Sequence, residues 1–318
     1  MRAQAAKAET RSAQAAGDKG SSPKAAAAIL ILALALCFSA LPASAADKPA
    51  IISLYAANTE ILLRIGARGN LVGISRQETY DGPETIGWER PEAFSMHDDV
   101  EKFLAAAPDI VLLRPMHLAA KPDLFQTLER SGIRLWVKQV TVASDLDDYW
   151  RELGDLAGKK EEAERMIADF QKAVAKHAQS PPEKRPGVFM ESIHQEVKTF
   201  TPESIPVWLM TLAGGRNVAA DAKPARPGLV VADYGPERLL EKAEEIDVFI
   251  SQEGQMNSVA TESILSRPIY QTIAAFKNGR VYRVPEQLIS RPTPSLLEGL
   301  DLLSKQIRGE VPGASPAP

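Results

Sequence analysis

The sequence predicts an α/β protein with two lobes separated by a long helix. Short apolar runs alternate with segments of helical spacing from Ala50 onward, and the alternation restarts after Ser180-Pro181-Pro182. Between these two parts, apolar residues recur at helical spacing from Asp145 to Ala178. The predicted boundaries are 46–144 for the first lobe, 145–180 for the interlobe helix, 181–310 for the second lobe and 311–318 for a disordered tail.

Eight apolar runs have the length and composition of buried strands. They are continuous rather than alternating, which is typical of strands covered on both faces. The predicted strands are 50–54, 71–74, 110–113, 135–137, 188–190, 198–200, 248–251 and 281–284. Glycine or proline marks the ends of several helices between them. The predicted helices are 59–65, 100–106, 122–130, 205–212, 237–243, 269–276 and 294–307.

The segment from Asp145 to Ala178 is interpreted as one long helix, either straight or kinked. Its apolar positions are interrupted only by Gly158-Lys159-Lys160. A single helix of this length would hold two lobes at a nearly fixed distance.

The amino-terminal segment has the order of a secretory signal peptide. Five basic residues precede an apolar run from Ala25 to Leu41, and Ala43-Ser44-Ala45 follows. We therefore expect a signal peptide over 1–45, cleaved after Ala45, with an uncleaved membrane anchor as the alternative. The one cysteine, Cys37, follows the bulky Leu36, which argues against a lipoprotein site, so the mature chain is expected to lack thiols.

Charge excludes some classes of partner. The chain has a formal net charge of −4, and removal of a leader of charge +3 leaves a mature part near −7. An acidic exported protein is a poor candidate for binding nucleic acid or anionic lipid.

Several segments in a fixed order resemble the periplasmic binding proteins for cobalamin, ferric siderophores and haem. The resemblance covers essentially the whole mature chain and rests on the combined order of motifs that are individually unspecific. These motifs are 51–54 with 58–62, 71–75, 100–104 with 108–112, 213–219, 277–282, and Arg291-Pro292 with Pro294 and 298–300. One departure is Tyr55-Ala56-Ala57, where the family usually has proline and serine.

The resemblance implies two Rossmann-like lobes bridged by one helix, with a ligand cleft between them. It implies a monomeric periplasmic protein that captures a bulky metal chelate and delivers it to the permease of an ABC importer. It implies no catalytic residues, no resident cofactor and no metal site of the protein's own. It also implies that Glu101 and Glu237 dock onto permease arginines; a compatible alternative is that each carboxylate stabilises the helix it begins.

Ligands of open α/β lobes lie beyond the carboxyl ends of the strands, so the polar residues of those loops are the candidate ligand contacts. Aromatic side chains there could pack on a macrocycle, and arginines could pair with anionic oxygens. The candidates are Tyr55, Arg76, Tyr80, Trp88, Arg114, Met116, His117, Glu191, His194, Gln252 and Arg291.

His117, His194 and Tyr55 could also coordinate a metal of the ligand directly, although a single histidine in a loop is more often a hydrogen-bonding residue. Two other functions stay open. An oxyanion such as molybdate could bind Arg76 and Arg114. An exported enzyme is the second alternative, but nucleophile-elbow, zinc-helix and phosphate-loop motifs are absent from the sequence.

Overall fold

The computed structural model describes residues 48–178, 185–226, 228–254, 257–258 and 260–314. The predicted signal peptide and Cys37 lie outside the described residues. Within the described part, no helix is long and apolar enough to cross a membrane.

The first lobe is built on a five-stranded parallel sheet in the order β3-β2-β1-β4-β5. The central strand β1 and its neighbour β4 are buried at every residue, which explains their continuous apolar runs. The short strand β3, which begins with a glutamate, was not predicted. The strands are β1 Ile51–Ser53, β2 Leu71–Ser75, β3 Glu92–Phe94, β4 Ile110–Leu113 and β5 Arg134–Val137.

Helices connect these strands and cover the sheet. The first helix stops just before Gly66, whose φ of 72° is the left-handed conformation that glycine adopts readily. The helix that contains Met116 and His117 was predicted as a loop; Pro115 occupies its first position, where the missing N–H costs nothing. The helices are α1 Ala56–Arg64, α2 Val100–Ala105, α3 Pro115–Ala120 and α4 Pro122–Arg130.

The second lobe contains a four-stranded parallel sheet, in the order β11-β10-β6-β8, and a separate antiparallel pair, β7 and β9. Its strands are β6 Gly187–Glu191, β7 Lys198–Phe200, β8 Arg216–Asn217, β9 Val231–Asp233, β10 Val248–Glu253 and β11 Val281–Pro285. The helices there are α7 Ile205–Leu212, α8 Pro236–Glu241, α9 Thr261–Leu265, α10 Ala274–Lys277, α11 Glu286–Ile289 and α12 Leu296–Arg308. The prediction of a two-lobed α/β fold with parallel sheets is confirmed.

The two parallel sheets share one plan. The order β2-β1-β4-β5 in the first lobe corresponds to β8-β6-β10-β11 in the second. A matching hydrogen bond fixes the start of the first strand in each sheet. Asp109 Oδ2 accepts from the Ala50 N–H at 2.7 Å, and Asp247 Oδ2 accepts from the Gly187 N–H at 2.7 Å. The lobes are therefore topologically equivalent around these strands.

The prediction of one continuous helix from Asp145 to Ala178 is wrong. The chain forms α5 (Leu146–Leu156) and α6 (Lys160–Ala178), joined by a turn in which Gly158 has a φ of 65°. The ring centroids of Trp150 and Phe170 lie 4.8 Å apart, whereas twenty residues of one helix would span about 30 Å. The two helices thus fold back on each other. A hydrogen bond from Tyr149 OH to Asn58 Oδ1 ties α5 to α1 of the first lobe.

Helix α6 lies in sequence between the two sheets, and the apolar core is continuous beside it. One buried cluster includes Ile51 of β1, Trp150 of α5, Phe170 of α6, Val188 of β6 and Leu300 of α12. Because this cluster joins both lobes, we expect only small changes in their separation.

The end of the chain departs from the prediction of a disordered tail. The Ala314 N–H donates to Val281 O at 2.9 Å, and Tyr282 OH donates to Val311 O at 3.2 Å. Residues 311–314 therefore cover part of the outer edge of β11, whose backbone groups need partners. The predicted tail residues 315–318 lie outside the described residues.

Candidate ligand-binding cleft

A cleft of about 360 Å³ opens at the carboxyl ends of the strands of the first sheet. Four loops of the first lobe contribute to it, because parallel strands end at the same edge of a sheet. Two further residues, Glu286 and Arg291, come from the second lobe. The lining residues are Leu54, Tyr55, Ala56, Ser75, Arg76, Gln77, Phe94, Ser95, Met96, His97, Arg114, Met116, His117, Glu286 and Arg291.

Arg114 and Tyr55 form a stacked pair in this cleft. The Arg114 Cζ atom lies 4.6 Å from the centroid of the Tyr55 ring, within the range of a cation–π interaction. Burial raises the pKa of the Tyr55 phenol, while the charges of Arg114 and Arg291 oppose that rise. Tyr55 is therefore neutral at physiological pH, and its ring face orients the guanidinium.

One hydrogen-bond donor of the Arg114 guanidinium has no acceptor in the described part of the protein. Its Nε atom is shielded from solvent and has no hydrogen-bond partner within the described part of the chain. A buried donor without a partner costs free energy, and a polar ligand that supplied an acceptor nearby would reduce this cost.

His117 is held as a neutral imidazole. Its Nδ1 atom accepts a hydrogen bond from the Arg114 N–H at 3.2 Å, so the proton of the neutral ring is on Nε2. Burial, and secondarily the charge of Arg114, lower the pKa of His117 to about 4. In this tautomer Nε2 carries the N–H and is a potential donor to a ligand. Coordination of a metal through Nε2 would require the proton to move to Nδ1, which would break the hydrogen bond from the Arg114 N–H.

The other two arginines are fixed by different contacts. Arg76 is more than half exposed and forms a 2.6 Å ion pair with Asp98. Arg291 Nη1 donates to Thr79 Oγ1 at 2.8 Å, which connects the second lobe to a loop of the first. With Arg114 they give the cleft three cationic side chains, against one lining carboxylate, that of Glu286.

Six of the eleven predicted ligand contacts meet in this cleft. They are Tyr55, Arg76, Arg114, Met116, His117 and Arg291. Met116 is 50% exposed, so a large apolar surface is available beside the charged groups.

Tyr80 and Trp88 do not line the cleft. The Tyr80 hydroxyl donates to the Glu84 carboxylate, and the Arg64 guanidinium lies 5.5 Å from the centroid of its ring. Burial raises the pKa of the Tyr80 phenol. Trp88 is partly buried and packs against the core cluster that joins the lobes. Both side chains stabilise the loop that follows β2.

Glu191 and His194 meet in the interior of the second lobe, away from the cleft lining. The fully buried Glu191 carboxylate accepts hydrogen bonds from Ser251 Oγ at 2.8 Å and from Tyr270 OH at 2.9 Å. His194 Nδ1 lies 3.0 Å from the same carboxylate. This network satisfies a buried carboxylate, which would otherwise be costly.

Gln252 is likewise buried in the second lobe. Its Oε1 atom accepts a hydrogen bond from Ser290 Oγ, next to the loop that carries Arg291. Gln252 therefore helps to hold this loop and does not line the cleft.

Sequence reasoning missed some lining residues. Met96 and His97 follow strand β3, which was not predicted. Glu286 directly follows β11, a strand that was predicted. It could therefore have been identified, because ligands of such sheets lie beyond the carboxyl ends of the strands. Among the described residues, no group of three or more His, Cys, Asp or Glu side chains could hold a metal ion.

Glu101 and Glu237 occupy equivalent exposed positions. Glu101 lies in the first turn of α2 and Glu237 in the first turn of α8. Their helices are the last α-helices before β4 and β10, the corresponding strands of the two lobes; in the second lobe a short 3-10 turn, Ala243–Glu245, lies between.

The chain is similar to several known proteins. It is 25% identical over 264 residues to the uncharacterized ABC transporter substrate-binding lipoprotein YvrC of Bacillus subtilis, covering 81% of this chain and 79% of that protein. It is 23% identical to the vitamin B12-binding protein of Vibrio cholerae, covering 79% of this chain and 86% of that protein.

A solved structure shows the same architecture. A possible iron-binding (periplasmic solute-binding) protein of Staphylococcus epidermidis superposes with a TM-score of 0.71 at 25% identity, covering 82% of this chain and 99% of that one. The periplasmic binding protein model matches residues 51–288. This range contains both parallel sheets and all of the cleft except Arg291. The chain belongs to the periplasmic binding protein family.

Proposed function

We propose that this chain is the exported solute-binding component of an ABC importer and that it captures a metal chelate: a ferric siderophore, a corrinoid or haem. The observation that carries the proposal is the cleft itself, in which Arg114 stacks on Tyr55 of the first lobe and Arg291 arrives from the second. A ligand held between lobes can bind residues of both and so favour one closed arrangement.

The cationic lining favours a ligand that presents anionic oxygens. Arginine pairs with carboxylate, phosphate or catecholate oxygens through two parallel N–H donors. Met116 and the Tyr55 ring supply the apolar contacts that a bulky organic chelator needs. Neutral His117 contributes a hydrogen-bond donor rather than a charge.

The metal in this proposal belongs to the ligand. The His117 tautomer disfavours coordination, and the raised pKa of Tyr55 disfavours a phenolate ligand. The chelator therefore keeps its metal, and the protein recognises the periphery of the complex.

Export and transport complete the proposal. A signal peptide cleaved after Ala45 would release a monomer into the periplasm. Glu101 and Glu237 would then pair with arginines of the permease. Both carboxylates are exposed, and no described residue forms a salt bridge with either of them.

Direct titration tests the proposed ligand class. The mature protein is titrated with haemin, cyanocobalamin, ferric enterobactin and ferrichrome, and binding is followed by calorimetry and visible absorption. We expect submicromolar affinity for at least one of them, with Arg114→Gln weakening it at least tenfold. Binding of none of the chelates, or binding of molybdate alone, would refute the proposed ligand class.

A further inference from the structure

The short helices α2 and α8 carry the same four-residue pattern at equivalent places in the two lobes. Glu101-Lys102-Phe103-Leu104 corresponds to Glu237-Arg238-Leu239-Leu240. In each, an acid is followed by a base, a buried apolar residue and a leucine. The equivalence rests on topology. Each helix is the last α-helix before the strand that pairs in parallel with the first strand of its sheet.

The third residue of each pattern fixes the orientation of the helix. Phe103 and Leu239 are both fully buried. The glutamate and the final leucine are three residues apart, so they lie next to each other on the helix surface. Leu104 is 40% exposed and Leu240 is partly exposed, although both are large apolar side chains.

The basic residue of each pattern is engaged within its own lobe. Lys102 Nζ lies 3.0 Å from Asp98 Oδ2 and 3.4 Å from Glu92 Oε1, and donates to Ala93 O at 2.6 Å. Its charge is therefore directed toward these groups and away from Glu101.

Arg238 is held in a comparable way. Its Nη2 atom lies 2.6 Å from Asp221 Oδ2, and its guanidinium lies 4.3 Å from the centroid of the Tyr234 ring. Within the described part of the chain, each glutamate is consequently left without an ion-pair partner, beside a leucine that is exposed in the first lobe and partly exposed in the second. We name these two surfaces, Glu101 with Leu104 and Glu237 with Leu240, the Glu–Leu patches.

We propose that Leu104 and Leu240 are part of the docking surface, and that each Glu–Leu patch receives a permease arginine flanked by apolar side chains. This inference rests on the proposed function, from which the pairing of the glutamates with arginines is taken. Isolated exposed leucines are common on protein surfaces. Leu104 and Leu240 differ from such isolated leucines because each lies beside a glutamate without an ion-pair partner, at equivalent positions in the two lobes. Apolar burial beside the ion pair excludes water and strengthens it.

The test measures docking separately from ligand binding. The importer is first identified as the one whose deletion abolishes uptake that depends on this protein, and it is then reconstituted in nanodiscs. Binding of the unliganded mature protein to the immobilised importer is measured by biolayer interferometry. The variants are Leu104→Ser, Leu240→Ser, the double variant, and Glu101→Gln with Glu237→Gln. Leu229→Ser is the matched control, because Leu229 is 48% exposed and lies outside both patches.

We expect each leucine variant to weaken docking about five- to tenfold, and the double variant about 50-fold, as expected for loss of a buried apolar contact. Leu229→Ser should leave docking unchanged, and all variants should keep the wild-type melting temperature and affinity for the chelate. If the glutamate variants weaken docking and the leucine variants do not, the inference is wrong and the proposed function stands. If no patch variant weakens docking, the docking assignment itself is wrong. If the wild-type protein binds no importer, the proposed function fails.

Discussion

Arg291 of the second lobe donates a hydrogen bond from Nη1 to Thr79 Oγ1 of the first lobe at 2.8 Å, at the margin of the cleft. The same arginine lines the cleft, so it has two possible roles. It can bind an anionic group of the ligand, and it can hold the lobes in their present arrangement.

Two substitutions separate these roles. Arg291→Met removes both the charge and the interlobe bond, whereas Thr79→Val removes only the bond. We expect Arg291→Met to weaken binding of the best chelate at least tenfold, because a charge-assisted hydrogen bond contributes about 1.5–3 kcal/mol. Thr79→Val should change the affinity by less than about threefold. Calorimetry measures the affinity of both variants for the chelate. If both variants lose the same affinity, Arg291 acts through the interlobe contact alone.

The stacked pair of Tyr55 and Arg114 predicts a requirement for an aromatic ring at position 55. Tyr55→Leu removes the cation–π contact, worth about 0.7–2 kcal/mol at a partly desolvated site, so we expect the affinity for the chelate to fall about three- to thirtyfold. Tyr55→Phe keeps the ring and should retain affinity within about twofold. The comparison also tests metal coordination by the phenol. A large loss in Tyr55→Phe, with loss of a visible charge-transfer band, would contradict the proposed role of the ring face.

The lowered pKa of His117 predicts a specific dependence of stability on pH. The folded pKa is about 4 and the ordinary value is 6.5, so the unfolded chain binds more protons between these pH values. The free energy of unfolding should therefore fall as the pH drops from about 6.5 to about 4. His117→Gln removes this contribution, and its stability should fall less over the same window. Urea unfolding at pH 7.0 and pH 4.5 measures both proteins, and parallel curves would contradict the assigned pKa.

The turn between α5 and α6 predicts a cost for any side chain at Gly158. The φ of 65° disfavours other residues, while an added Cβ would meet nothing within 4 Å. We expect Gly158→Ala to lower the free energy of unfolding by about 1–2 kcal/mol through backbone strain alone. Gly69→Ala is the control, because Gly69 has no positive φ and an added Cβ would make only an ordinary contact, 3.8 Å from Lys48 Nζ. Similar stabilities of the two variants in urea unfolding would contradict the importance of this turn.

The buried strands of the two parallel sheets and the two-lobed plan could be predicted because their signals are local; the short strands β8 and β9 were not predicted. Buried parallel strands such as β1, β4 and β10 appear as continuous apolar runs, and the glycine at position 66 marks the end of α1. Strand β3 carries no such signal, since it has only three residues and two of them are exposed. The residues that follow β3 were missed as lining residues for the same reason.

The helix pair α5 and α6 shows the limit of periodicity. Apolar residues at helical spacing on both sides of Gly158 are equally compatible with one long helix and with two helices packed together. In the structure the apolar faces of α5 and α6 bury Trp150 against Phe170. That contact depends on a reversal of chain direction, which the spacing of apolar residues does not encode.

By itself, the sequence determined the α/β class, the presence of two similar lobes and the loops that could carry ligand contacts, because each follows from local patterning of apolar and polar residues. Only the tertiary structure decided which loop residues meet. Tyr55, Arg114 and Arg291 come together across 236 residues of sequence, whereas Glu191 and His194 turn into the second lobe's interior. The physical reason is that sheet order and lobe packing set which strand ends become neighbours, and both depend on contacts between residues far apart in the chain.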